Sequence, residues 1–204
     1  MSFQKFIEYI FYTRRRLVQN LIDGKASRMD LIVNSTVHTP VIVSFGSAGL
    51  NGSIKGVGFI PKRQFLTDTL ESIMSALKRN LSEKDKLRLL LRELYDFKKV
   101  DFLKLSSIEL AKKHTWTNLR ENPIATLVFY TPPSTSYEIR AKVTIHENDI
   151  YWKLVNAIHD LFHGFRGEEK WRETPVYIFH ISEIYDNSVD KMGEKLEVPK
   201  SFSG

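Results

Sequence analysis

His159 and His163 stand four residues apart, the spacing that sets two imidazoles on one helical face and suits a pair of metal ligands. The residue after the first is Asp160, so the pattern is not H-E-x-x-H, and no third ligand can be named. A helix surface without metal is the expectation. Residues 46–58 hold five glycines, yet they contain no Gly-Lys-Ser/Thr and no G-x-G-x-x-G opening a helix. They are expected to form a loop or a glycine-rich hairpin rather than a phosphate cradle. Serine, histidine and aspartate are all present, but no G-x-S-x-G elbow supports a nucleophilic triad. The chain has no cysteine, which excludes disulfides, thiolate catalysis and Cys-based metal sites.

The charge balance is 30 Lys plus Arg against 24 Asp plus Glu in 204 residues, a net +6. Such an excess suits an anionic partner: a phosphorylated cofactor, nucleic acid or a membrane surface. Basic residues gather at Arg14–Arg16 with Lys25 and Arg28, and again from Lys78 to Lys104. In the second block Glu83, Asp85, Glu93 and Asp96 are interleaved, which reads as solvated helix faces. No stretch approaches the ~18 uninterrupted apolar residues of a membrane span. The N-terminal stretch differs from a signal peptide, because Glu8 interrupts its apolar run and the arginines follow it. A cytoplasmic protein is expected, without membrane attachment.

The elements that must carry these residues follow from hydrophobic period. Residues 3–23 read as an amphipathic helix stopped by Gly24. Leu31–Val33 and Pro40–Val43 read as short strands, and residues 56–60 as a strand closing the glycine-rich hairpin. A helical block at about 68–97 starts from Asp68 with Glu71, and a second helix within it from Ser82 with Asp85. Val100–Leu105 is an expected strand, Ser107–Arg120 a helix, and Ile124–Thr131 an apolar strand before a Pro132-Pro133 turn. Tyr137–His146 alternates apolar with polar residues, as a half-buried antiparallel strand does. A helix over 150–163 and a strand over 176–184 follow, then a polar, loose tail after Asp186. No domain boundary is visible. The expectation is one α+β domain over 1–204: an N-terminal helix (1–24), and an antiparallel barrel with peripheral helices over 29–190, with residues 68–97 inserted.

The stretch from Leu103 to Ile145 carries the most information. A strand leads into Ser106-Ser107, then a basic segment with Lys112, Lys113, His114 and Thr115. Asn118-Leu119 and Asn122-Pro123 follow, then the apolar strand, and then the alternating strand with Arg140. This order resembles the pyridoxamine 5′-phosphate oxidase-like family, the FMN-binding split barrels. Leu110-Ala111 with His114-Thr115 is similar to its haem-utilisation branch. The similarity covers about residues 100–190, including the closing strand and Tyr185–Ser188. The pattern departs at His114-Thr115, which stands one residue further from Asn118, and at Ala141, where Gly is common.

The resemblance implies an antiparallel split β-barrel with FMN bound, an oxidoreductase chemistry on an unknown small-molecule substrate, and a homodimer with the flavin lodged between subunits. It implies cofactor contacts from Ser106, Ser107, Lys112, Lys113, His114, Thr115, Asn118 and Arg140. Any of Lys112, Lys113 or His114 could hold the phosphate, which needs cationic and hydroxyl donors and favours a helix N-terminus. For Arg140 a cross-strand ion pair with Glu138 or another acid is the competing role. Trp116 and Trp152 are expected to pack rather than to stack on a flavin. Two other functions fit the composition: a split-barrel binding or scaffold protein without cofactor, and a small basic nucleic-acid-binding protein.

Overall fold

The computed structural model describes residues 3–79 and 81–199. The first two residues of the expected segment 1–24, Asn80 within the helical block, and residues 200–204 of the tail lie outside the described residues. The N-terminal helix is continuous: α1 (Gln4–Ile7), a π-helical segment (Glu8–Tyr12) and α2 (Thr13–Asp23). Gly24 ends it at φ +69°, and the Lys25 N–H reaches back to the Asn20 carbonyl at 2.8 Å. The left-handed conformation is one that glycine adopts without penalty. Its apolar stripe of Phe6, Ile7, Ile10 and Phe11 is buried in the barrel core.

Leu31–Val33 forms no strand. It lies inside α3 (Arg28–His38), because Ser27 and Asp30 make a reciprocal capping box that starts a helix there. Three β-branched or leucine residues in a row do not outweigh a helix start whose orphan N–H groups are satisfied. Only Val37 of this helix is fully buried, while Leu31 and Ile32 stay exposed.

β1 (Val41–Ser44) and β2 (Asn51–Ile54) form the glycine-rich hairpin. β3 (Gly58–Pro61) pairs with β4 (Val100–Ile108) instead of closing that hairpin. Between them, α4 (Leu66–Leu77) follows a 3₁₀ turn (Arg63–Phe65) and has no side-chain cap, so Asp68 lies within its first turn rather than capping it. α5 (Glu83–Glu93) starts at Ser82, whose hydroxyl accepts from the Asp85 N–H as expected.

β4 runs three residues beyond the expected strand, and the helix expected from Ser107 begins only at α6 (His114–Glu121). β5 (Ile124–Thr131), β6 (Thr135–His146), α7 (Ile150–His163), α8 (Glu168–Trp171) and β7 (Val176–Asp186) complete the barrel. β8 (Glu194–Leu196) pairs with β7, so part of the tail expected to be loose is a strand.

The sheet runs β2-β1-β5-β6-β7-β4-β3, with every pair antiparallel. Its two end strands, β2 and β3, are consecutive in the chain and joined by residues 55–57. They do not pair with each other, so the barrel is split at that seam. The end of α3 and the residues just after it brace the gap: the His38 carbonyl accepts from the Val57 N–H, and the Pro40 carbonyl from the Lys55 N–H. One core fills the barrel, with Leu105, Leu127, Ile139, Tyr177 and Phe179. A second lies outside it, where α4 and α7 cover Val176 and Ile178 of β7. This is an α+β split barrel with peripheral helices, as the alternating strands imply.

Candidate functional site

Glu109 decides how β4 gives way to α6. It is 1% exposed, and its carboxylate accepts from the N–H groups of Ala111 and Lys112, from Lys55 Nζ and from the Tyr177 hydroxyl, all within 2.7–2.8 Å. These bonds hold a tight turn in which Lys112 takes φ +48°. The turn explains why Ser106 and Ser107 stay in the strand rather than opening a helix. Burial by itself would raise the pKa of Glu109, but the Lys55 ammonium and the Ala111 N–H outweigh it and hold the carboxyl below its ordinary value. Burial and the Glu109 charge push the Tyr177 hydroxyl up.

α6 anchors the glycine-rich loop. Thr115 Oγ1 meets Asn51 Nδ2 and Ser53 Oγ at 2.8 Å each. Asn118 accepts from the Ala48 N–H at 3.1 Å and donates to the Gly49 carbonyl at 2.7 Å. Glu121 accepts from the N–H and hydroxyl of Ser47. Gly46 is needed because a Cβ there would stand 2.9 Å from the Asn118 Cα. The loop's amides are thus spent on holding the hairpin to α6, which agrees with its reading as a hairpin loop.

Seven of the eight expected cofactor residues fall within residues 106–118, and the structure gives them different roles. Ser106 donates to the Gly58 carbonyl at 3.3 Å, and the Ser107 hydroxyl is buried without a partner. Thr115 and Asn118 are committed to the hairpin. Lys112, Lys113 and His114 are exposed at the start of α6. Lys112 Nζ lies 5.6 Å from the Trp116 ring centre, and Trp116 itself packs beside Tyr177. Leu50 just before β2, Ile54 at its end and Leu110 in the turn are all more than half exposed, and Ile54 and Leu110 line one cavity at the barrel seam.

Arg140 is the exception. It stands on the outward face of β6, bonded to Glu138 at 2.9 Å and Glu183 at 3.2 Å, with its guanidinium 4.7 Å from the Tyr185 ring centre. Its register row runs through Thr126 and Val43 to Gly52. That is three strand spacings from β2, about 14 Å.

Behind the 106–111 segment lies a cavity of about 620 Å³ at the barrel seam. α2, α3, α5 and α7 close it, and its wall includes Arg14, His38, His159 and His163. Sequence reading did not bring Arg14 and His38 to a site, because four distant segments meet only in the fold. The rings of His159 and His163 lie 4.6 Å apart. Among the described residues no group of three or more His, Asp or Glu is placed to hold a metal ion. Elsewhere, on the open face of the sheet, Asp149 bonds His146, and His146 and His180 both meet Thr144 Oγ1. Asp149 also caps α7 through the Trp152 N–H.

The sequence matches no protein-family profile, and no curated protein sequence matches it significantly. Solved structures similar to this chain include HupZ from Group A Streptococcus, with a TM-score of 0.47 at 14% identity over 80% of this chain and 93% of that one. A putative pyridoxamine 5′-phosphate oxidase from Lactobacillus delbrueckii gives 0.43 at 16% identity, over 72% and 84% of the two chains. A NimC/NimA family protein from Clostridium acetobutylicum gives 0.45 at 7% identity, over 95% and 98%. Each is a likeness of fold at low identity, and the strand order and pairing of this chain's own sheet are what make it an α+β split barrel.

Proposed function

We propose that this chain is an FMN-binding split-barrel protein that works as a homodimer. The observation that supports the reading is the exposed basic stretch Lys112–His114, free of ion pairs among the described residues and two residues after exposed Leu110; in this reading Leu110 makes an apolar shelf with exposed Leu50 and Ile54. A phosphate dianion would be held by Lys112, Lys113 and His114 together with the first N–H groups of α6. The flat ring would lie on the shelf. Thr115 and Asn118 position α6 without touching the ligand, and Ser106 and Ser107 form the strand beneath.

A second copy would cover the ring. The outward face of β2-β1-β5 carries exposed Val41, Ile54, Ile124 and Tyr130, an apolar surface of the kind that marks an interface. Arg140 shares that outward face and joins the site only through such a partner copy. When bound, the flavin supplies the electron chemistry, and the protein orients the ring and excludes water. Oxidoreduction of a small molecule is the activity this reading assigns.

Fluorescence titration with FMN tests it. Saturable binding near micromolar, about −8 kcal/mol, is expected. Replacing Lys112 or Lys113 by Ala is expected to weaken it about tenfold or more, since bonds to charged groups contribute about 1.5–3 kcal/mol. Binding that never saturates refutes the flavin reading. A light-scattering mass near that of one chain at micromolar concentration refutes the homodimer. A second reading, a split-barrel binding protein without cofactor, is favoured by the protein partners already held by Ser106, Thr115, Asn118 and Arg140. It predicts no flavin binding with the dimer intact.

A further inference from the structure

Arg14 is 5% exposed, yet no carboxylate lies within ion-pair distance of it among the described residues, and its Nη1 has no hydrogen-bond partner. Its guanidinium rests 4.8 Å from the Phe59 ring centre and 5.7 Å from that of Tyr95. An arginine stays charged when buried, so the charge is present and uncompensated. Aromatic faces offset only part of its desolvation. Arg14 lines the seam cavity, and it is not alone there. Of the five buried side-chain polar atoms without a hydrogen-bond partner among the described residues, four belong to residues that line this one cavity: Arg14 Nη1, His38 Nδ1, Ser107 Oγ and His159 Nδ1, the last with the Asp160 carboxylate 3.6 Å away. Native interiors rarely leave such atoms unpaired, and their grouping in the wall of one space points to a ligand there.

The remaining charged groups on the cavity wall identify the sign. Lys55 and Glu109 form an ion pair at 2.8 Å and cancel. His38, His159 and His163 also face the space, from α3 and α7. Burial and the Arg14 charge bring the pKa of His38 down to about 3, and burial with Arg166 lowers that of His159. Those two imidazoles are neutral near pH 7 and can donate one N–H each. The unmatched charge is therefore the single positive one of Arg14. The rest of the wall is apolar, with Leu17, Leu21, Leu94, Val155, Ile158 and Phe162. A volume of about 620 Å³ lies inside the range of small-molecule pockets, about 300–1,000 Å³.

We propose that the seam cavity binds a monoanionic amphiphile, a carboxylic acid with an apolar body of about ten carbon atoms, whose carboxylate pairs with Arg14 and accepts hydrogen bonds from His38 and Ser107. Ile54 and Leu110 of the shelf assigned to the flavin also line this cavity, but its polar donors are other residues than Lys112, Lys113 and His114. Neutral molecules of the same shape lack the charge that Arg14 requires and leave it unpaired.

Isothermal titration of the full chain without flavin provides the test, so its outcome does not depend on the flavin reading. The probes are decanoate and 2-naphthoate, each against its alcohol, decanol and 2-naphthalenemethanol. At least one acid is expected to bind at one per chain, at least 30-fold tighter than its alcohol, and to raise Tm. Arg14→Met is expected to bind that acid at least tenfold more weakly, with affinity for the alcohol unchanged. Arg14→Lys keeps the charge and is expected to restore part of the difference. Because Arg14 has no ion-pair partner to lose, Arg14→Met is also expected to keep or raise Tm in the absence of ligand. A purely structural arginine would lower it. The proposal is overturned if neither acid binds at millimolar concentration, if acid and alcohol bind alike, or if Arg14→Met keeps the preference for acid.

Discussion

Asp160 holds the C-terminal end of α7, and removing it should cost more than any surface ion pair. The carboxylate has no exposed side-chain surface. It accepts from Arg166 Nε at 2.6 Å, the Arg166 N–H at 2.7 Å, Trp171 Nε1 at 2.9 Å and the Gly167 N–H at 3.3 Å. Arg166 also reaches Asn156 Oδ1 at 3.0 Å, which ties residues 164–174 onto the helix. Asp160→Ala leaves the Arg166 Nε–H, its backbone N–H and a buried indole N–H without their acceptor, and removes the carboxylate charge that pairs with the guanidinium. Breaking a buried pair from one side costs about 3–5 kcal/mol. For a domain of this size that corresponds to a fall in Tm of about 6–20 °C. Asp160→Asn keeps one acceptor oxygen and is expected to fall between wild type and Ala.

The pH dependence gives an independent reading of the same bond network. Burial would raise the pKa of Asp160, but Arg166 and the Trp171 N–H outweigh it and hold the carboxyl below its ordinary value. A depressed carboxyl stabilises the fold above the unfolded pKa, about 3.9. That contribution is lost as pH falls through the lower, folded pKa. Urea denaturation of wild type and Asp160→Ala should therefore show the full difference at pH 7, narrowing below about pH 4. A loss under about 1 kcal/mol at pH 7, below the usual cost of one unsatisfied buried group, refutes the reasoning. So does a difference that does not change with pH. Since α7 also carries Ile158, His159 and His163 of the seam cavity, the variant tests how firmly that wall is held.

Phe11 is fully buried against Phe59, Tyr95 and Phe102. Phe11→Ala should lose about 3–5 kcal/mol in urea denaturation, and a loss near zero would show that the N-terminal helix is not part of the barrel core. Ser27→Ala removes the capping box of α3 and should cost about 1 kcal/mol, read as a small fall in Tm. Gly46→Ala places a methyl group 2.9 Å from the Asn118 Cα. It should destabilise by about 1–3 kcal/mol, and hydrogen exchange in the 46–53 loop should quicken. Glu109→Gln should weaken the β4–α6 turn: its depressed carboxyl stabilises the fold above about pH 4.3 and loses that effect as pH falls further. The gap in Tm between wild type and this variant should accordingly close in acid.

Period and caps were enough to read much of this chain. The strict alternation of Tyr137–His146 and the apolar run Ile124–Thr131 announced β6 and β5, because a pleated strand with one buried face permits little else. Gly24, Ser82 and the 3.6-period stripe of Phe3, Phe6, Ile7, Ile10, Leu17 and Leu21 mark helix ends and faces for equally local reasons. Leu31–Val33 reads as a strand but is helical, because β-branched composition is a weak signal beside the Ser27–Asp30 capping box, which lies just before it. Ser107 read as a helix start because the turn that delays α6 is made by Glu109 with Lys55 and Tyr177, residues 54 and 68 positions away. Lys112, Lys113 and His114 were visible as a basic stretch because they are neighbours in the chain. The commitment of Thr115 and Asn118 to the hairpin, and of Arg140 to Glu138 and Glu183, depends on strand register and could be seen only in three dimensions. The seam cavity is the furthest from the sequence. Arg14, His38, Ser107 and His159 share no motif or spacing, and only the unpaired edges of β2 and β3, covered by four helices, bring these residues to one space.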